Sequence, residues 1–127
     1  MKKLLLAGLL MTTAFCYSFV DDVNSIVGRW EHVFKDGPVN FLVVFKPDGT
    51  YDGFANKKAF LNGTYKMKQD TLYIYDPTCN INYAGIYKIE YFGKQDSLKF
   101  HVIQDTCRGR REGADGLVYK RLRNTMK

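Results

Sequence analysis

The chain has 127 residues, with 19 lysines and arginines against 13 acidic residues for a net charge of +6, and nine each of Phe and Tyr. That length suits one domain, and no linker or low-complexity segment divides it, which argues against a second. The basic excess is local: from Arg108 onward seven basic residues face only Glu112 and Asp115, whereas Phe19 to Cys107 is close to neutral. Such an end attracts anionic membranes, acidic ligands or nucleic acid, and its plainer reading is a solvated tail and surface loop.

In chain order, Lys2 and Lys3 precede the apolar run Leu4 to Met11 and then smaller residues. This has the form of an export signal, too short to span a bilayer as a mature anchor. Residues 1–18 are therefore expected to be a cleaved signal peptide and 19–127 the mature domain. Small residues at Cys16 and Ser18 fit cleavage after Ser18, with Ala14 as a rival site. Cys16 also raises acylation of its thiol, although Phe15 stands where a lipoprotein signal needs a small residue. The expected location is periplasmic or secreted, with an outer-membrane lipoprotein as the alternative. A membrane partner is expected only if Cys16 is lipidated.

Asp21 to Val27 reads as a short helical turn, with Asp21 as N-cap and Val23, Ile26 and Val27 on an apolar face. A glycine, any residue and a large aromatic then recur four times: Gly28-Arg29-Trp30, Gly49-Thr50-Tyr51, Gly63-Thr64-Tyr65 and Gly85-Ile86-Tyr87. Glycine permits a sharp bend where a strand starts, and the aromatic two positions on shares its face. Eight strands are predicted, over about 28–34, 40–46, 50–55, 63–68, 71–76, 83–92, 97–104 and 114–123, from alternation such as Leu98, Phe100 and Val102 against Lys99 and His101. Asn62-Gly63-Thr64 matches a glycosylation triplet and is read instead as turn chemistry before the fourth strand.

Short connections fall at Pro47-Asp48-Gly49, Gln69-Asp70 and Gly93 to Asp96. Longer ones fall over 35–39, 56–62, 77–82 and 105–113. In an up-and-down meander the connections alternate between ends, so one end is stitched tightly and the other carries the long loops. Cys79 and Cys107, the two cysteines left after removal of Cys16, sit in two of those long loops. In an exported chain they read as one disulfide, which closes a loop of about 29 residues and is worth about 3–4 kcal/mol in the chain-entropy model. No CxxC pattern is present, and His32 and His101 are distant from the cysteines in sequence, so neither a metal nor another cofactor is expected. The fold expected is all-β, an eight-stranded antiparallel up-and-down barrel, with an open two-sheet sandwich as the rival.

The turn before Gly28-Arg29-Trp30, the eight-strand meander and a final-strand arginine, Arg121, resemble the lipocalin family and its calycin relatives, as a pattern over about residues 20–123. The resemblance implies that Gly28 and Trp30 begin the first strand at the closed end of a barrel and that Arg121, with Arg123 as a second candidate, packs across Trp30. It looks more like the small exported bacterial domains of this kind than like the large lipocalins: the chain is short and lacks the long helix that follows the barrel in the latter.

Alternation places His32, Phe34, Tyr51, Tyr65, Met67, Tyr87, Ile89, Leu98, Phe100 and Val102 toward the interior. These side chains either wall a cavity for an apolar or aromatic small molecule or fill the barrel outright. Lys35, Lys57, Lys58, Arg108, Arg110 and Arg111, offset by Asp36, Asp105 and Glu112, are expected around the open end, where Arg108 and Arg111 are candidates to hold an acidic head group. No G-x-S-x-G, HExxH or phosphate-cradling loop is present, so catalysis is not expected. The expected function is binding of a small apolar or acidic amphiphilic ligand by a monomeric barrel. The alternative is a packed barrel that presents its disulfide-tied loops to a protein partner. Export makes nucleic acid a poor partner.

Overall fold

The computed structural model describes residues 25–37 and 39–123. The expected signal segment, with Ala14, Cys16 and Ser18, and the start of the expected turn at Asp21 lie outside the described residues.

Eight antiparallel strands close into one barrel in simple sequence order. They are β1 (Gly28–Val33), β2 (Asn40–Phe45), β3 (Thr50–Ala55), β4 (Lys58–Lys68), β5 (Thr71–Tyr75), β6 (Gly85–Phe92), β7 (Ser97–Gln104) and β8 (Val118–Leu122), with a short helix, α1 (Arg108–Ala114), between the last two. Closure joins β1 to β8 through Arg29↔Leu122, Trp30↔Arg121 and Glu31↔Lys120. The sandwich alternative is thereby excluded, because all eight strands share one ladder with no free edge.

The tight end forms where local chemistry dictates. The carboxylate of Asp48 accepts from the Thr50 amide at 2.9 Å and the Thr50 hydroxyl at 2.6 Å, which fixes the β2–β3 turn. Connections 69–70 and 93–96 close the other hairpins at this end. Across the floor runs the segment Ser25 to Val27. Trp30, fully buried, donates its indole N–H to the Ile26 carbonyl at 2.8 Å. The Arg121 guanidinium lies 4.2 Å from the Trp30 ring centroid and donates to the carbonyls of Val27 and Ser25, each at 3.0 Å. Gly28 sits at φ +140°, and a Cβ there would stand 2.8 Å from an Arg121 nitrogen. Glycine at this position therefore serves both the backbone bend and the approach of the arginine.

Three expectations need correction. The long third connection, 56–62, does not exist: Asn56 and Lys57 both have positive φ and make a two-residue hairpin, so β4 starts at Lys58. The Asn56 side chain secures that turn by accepting from the Asn40 amide at 2.9 Å. Asn62-Gly63-Thr64 consequently lies mid-strand, not in a turn, and Gly63 is small because a Cβ would collide with the Tyr75 carbonyl and press on the Tyr51 ring. The eighth strand begins at Val118, not near 114, because residues 108–114 turn into helix α1.

Candidate functional site

At the end opposite Trp30, the barrel interior holds a cavity of about 460 Å³. Its walls are largely apolar and aromatic, including Phe41, Val43 and Phe45 from β2, Leu61 from β4, Leu72 and Ile74 from β5, and Phe100 from β7. Inward alternation on each strand places them there. Phe45, Leu72 and Phe100 are buried, while Phe41, Val43 and Leu61 are partly buried and pack against the core.

Helix α1 covers this end. Gly109, Arg110, Gly113 and Ala114 face the cavity, while Arg108 and Arg111 are exposed. Positions i, i+1, i+4 and i+5 form one helical face, so a single arginine of the three is delivered inward. A disulfide between Cys79 and Cys107, with Cα atoms 5.8 Å apart, ties the helix to the loop after β5, as the sequence led us to expect. Both cysteines line the cavity. Two buried aspartates anchor the tethered loops. Asp76 accepts from the Thr78 amide and hydroxyl, each at 2.8 Å, and Asp105 accepts from the Cys107 amide at 2.9 Å.

Asp105 and Arg110 form a bidentate ion pair, with Nε to Oδ2 and Nη2 to Oδ1 both at 2.8 Å. The Arg110 side chain is 6% exposed and that of Asp105 fully buried. The Tyr87 hydroxyl donates to Asp105 Oδ2 as well. Burial alone would raise the Asp105 pKa, but the bonds from Arg110, Tyr87 and the Cys107 amide outweigh it and hold the carboxyl below its ordinary value. Gly85 makes room for the pair, since a Cβ there would stand 2.7 Å from Asp105 Oδ2 and 2.8 Å from Arg110 Nε.

Two buried polar atoms among the described residues have no hydrogen-bond partner, Arg110 Nη1 and the Tyr51 hydroxyl. Both residues line the cavity, Tyr51 from β3 and Arg110 from α1. Burial first, then the nearby Asp76 carboxylate, push the Tyr51 phenol above its ordinary pKa, so its hydroxyl stays protonated and can donate.

Of the residues proposed from sequence as ligand-binding, Tyr51, Tyr87 and Phe100 line the cavity. His32 and Phe34 lie elsewhere. His32 Nδ1 meets the Val118 carbonyl at 2.7 Å across the β1–β8 seam, and its ring packs edge-on against Phe34 with centroids 4.4 Å apart. Tyr65 donates to the Lys46 carbonyl at 2.6 Å, near the tight end, and Met67 packs on the core from the same strand. Arg108 is exposed and pairs with Glu112 at 2.9 Å, one helical turn on. Arg111 is exposed in the last turn of α1. Arg110 and Asp105, placed at the rim by the sequence reading, are instead a buried pair. Asp76 was not singled out at all. Its signal was the position: an aspartate at the end of a strand, three residues before a cysteine.

No known protein-family model matches the chain. No curated protein matches it either. Among the described residues no group of His, Cys, Asp and Glu is placed to hold a metal ion, and no helix is long and apolar enough to cross a membrane.

Proposed function

We propose that this protein is a lipocalin-like carrier that holds a small apolar or amphiphilic ligand inside its barrel, and that it works outside the cytoplasm. The observation that carries the reading is the cavity of about 460 Å³, since ligand pockets typically span about 300–1,000 Å³ with apolar walls and a few polar groups. A packed barrel would instead have filled this space with side chains. Export is supported by the disulfide, which needs an oxidising compartment to persist. The lipocalin likeness rests on the barrel topology together with Trp30 and Arg121 at the closed floor. The test is lipid extraction of protein purified from its native source, followed by mass spectrometry. A stoichiometric small amphiphile is expected, and repeated recovery of empty protein would overturn the reading.

A second reading, an interaction module for an acidic protein partner, draws on the loop between β5 and β6. Ile81 and Tyr83 there are 58% and 61% exposed, and the disulfide ties the loop to a helix that displays Arg108 and Arg111. A stiffened loop lowers the entropic cost of docking. Replacing Tyr83, Arg108 and Arg111 with Ala should abolish capture of such a partner, and undiminished capture would reject this reading.

A further inference from the structure

The polar end of the cavity carries a definite charge pattern. Among the described residues Arg110 is the one basic side chain lining it, and Asp105 already neutralises it through two hydrogen bonds. Asp76, 2% exposed, lines the same cavity. The groups lining this region are Asp76 just after β5, Arg110 on α1, Tyr51 on β3, Tyr87 on β6 and Tyr119 on β8, with Asp105, before α1, packed behind them on Arg110 and Tyr87. Asp115, at the end of α1, acts on Tyr87 from farther away. The three tyrosines are all raised above their ordinary pKa, chiefly by burial, and contribute no charge near neutral pH.

A cluster of two aspartates and one arginine does not welcome another anion. A carboxylate ligand would sit against Asp76 and compete with Asp105 for a guanidinium already in use, in a site that water screens poorly. Yet two donors there, Arg110 Nη1 and the Tyr51 hydroxyl, lack acceptors. A buried donor left without a partner is costly, so the site favours a ligand that supplies an acceptor without a charge.

Resting on the carrier reading above, we propose that the cavity selects uncharged amphiphiles whose polar end is a hydrogen-bond acceptor (an alcohol, ester, amide or ketone) over the corresponding carboxylates. The acceptor sits between Arg110 Nη1 and the Tyr51 hydroxyl, and Asp76 excludes the anion. This reverses the preference for an acidic head group that the count of cations around the mouth suggested. Those exposed cations lie in solvent, whereas selection occurs at the buried cluster.

Displacement of the neutral reporter N-phenyl-1-naphthylamine, followed by fluorescence, tests this with decan-1-ol, methyl decanoate and sodium decanoate at pH 8. The alcohol and ester should displace it with affinities at least about tenfold above that of decanoate, a gap of about 1.4 kcal/mol. As the pH falls toward 5, decanoic acid should regain affinity as its neutral form appears, while decanol stays constant. Asp76→Asn retains an oxygen for the Thr78 amide and should narrow the gap by strengthening decanoate. Tyr51→Phe should weaken decanol several-fold more than it weakens the reporter, which brings no oxygen acceptor to that hydroxyl; its smaller perturbation makes it the second variant should Asp76→Asn fold poorly. Equal displacement by decanol and decanoate at pH 8 would overturn the proposal while leaving the carrier reading intact. Absence of reporter binding and of displacement by any ligand would overturn both. Discrimination that survives unchanged in a folded Asp76→Asn protein, or decanol binding indifferent to Tyr51→Phe, would also overturn the assignment.

Discussion

Asp105 is the side chain on which the covered end of the barrel turns. Its oxygens accept from Arg110, Tyr87 and the Cys107 amide, so it joins α1, β6 and the disulfide loop in one contact. Replacing it with Asn leaves the Arg110 guanidinium buried without a counter-ion, and a broken buried pair costs about 3–5 kcal/mol. Urea unfolding at neutral pH should show a loss of that size for Asp105→Asn, and a loss below about 1 kcal/mol would contradict the assigned role. The sign of the pH dependence follows from the same contact. The folded pKa is held below the ordinary value of 3.8, so the stabilisation is complete above that value and is lost as the pH falls through the lower folded pKa. Acid unfolding should therefore begin at a higher pH in Arg110→Gln than in the wild type.

At the scale of elements, α1 has little intrinsic reason to be helical. Its seven residues, Arg108–Ala114, include two glycines and show no apolar stripe. It is held from outside, by the disulfide at Cys107, by Arg110 on Asp105, and by the Tyr119 hydroxyl donating to the Gly113 carbonyl at 2.7 Å. That is why it was invisible in the sequence, where only tertiary partners could have announced it. The two cysteines, by contrast, were legible as a pair because two cysteines in a chain expected to be exported read as one disulfide, and the expected loop alternation agreed by placing both at one end. The β3–β4 hairpin was misread because Gly63 looked like a strand start, whereas its small size answers the close approach of Tyr75 and Tyr51 inside a longer strand. Replacing Cys79 and Cys107 with Ser should cost about 3–4 kcal/mol, from the loop-closure term for this separation. It should also abolish amide-exchange protection in 108–114 ahead of the strands. Helix amides that stay protected after removal of the disulfide would show that the other contacts suffice.

At the scale of the whole molecule, closure depends on a narrow seam. Among the described residues three register pairs join β1 to β8, and Arg121 reinforces them by crossing Trp30 and gathering the carbonyls of Ser25 and Val27. This part of the architecture was readable, since alternation set the strands, short turns set the tight end, and the G-x-W pattern pointed to the floor. The cavity was not readable, because whether aromatic side chains fill an eight-stranded barrel or wall a space depends on how their rings pack together. Arg121→Met keeps much of the aliphatic length but removes the charged hydrogen bonds and the cation–π contact. A loss of about 2–3 kcal/mol is expected in denaturant unfolding, and an unchanged midpoint would show that the seam closes without it.

The carrier account is tested most directly by fluorescence titration of the wild-type protein with N-phenyl-1-naphthylamine beside Val43→Trp, in which an indole occupies space on the cavity wall. Saturable one-to-one binding to the wild type, with loss of at least about tenfold in affinity for a variant of unchanged circular dichroism, is the predicted result. No saturable binding to the wild type, or equal binding to both proteins, would contradict a ligand held inside the barrel.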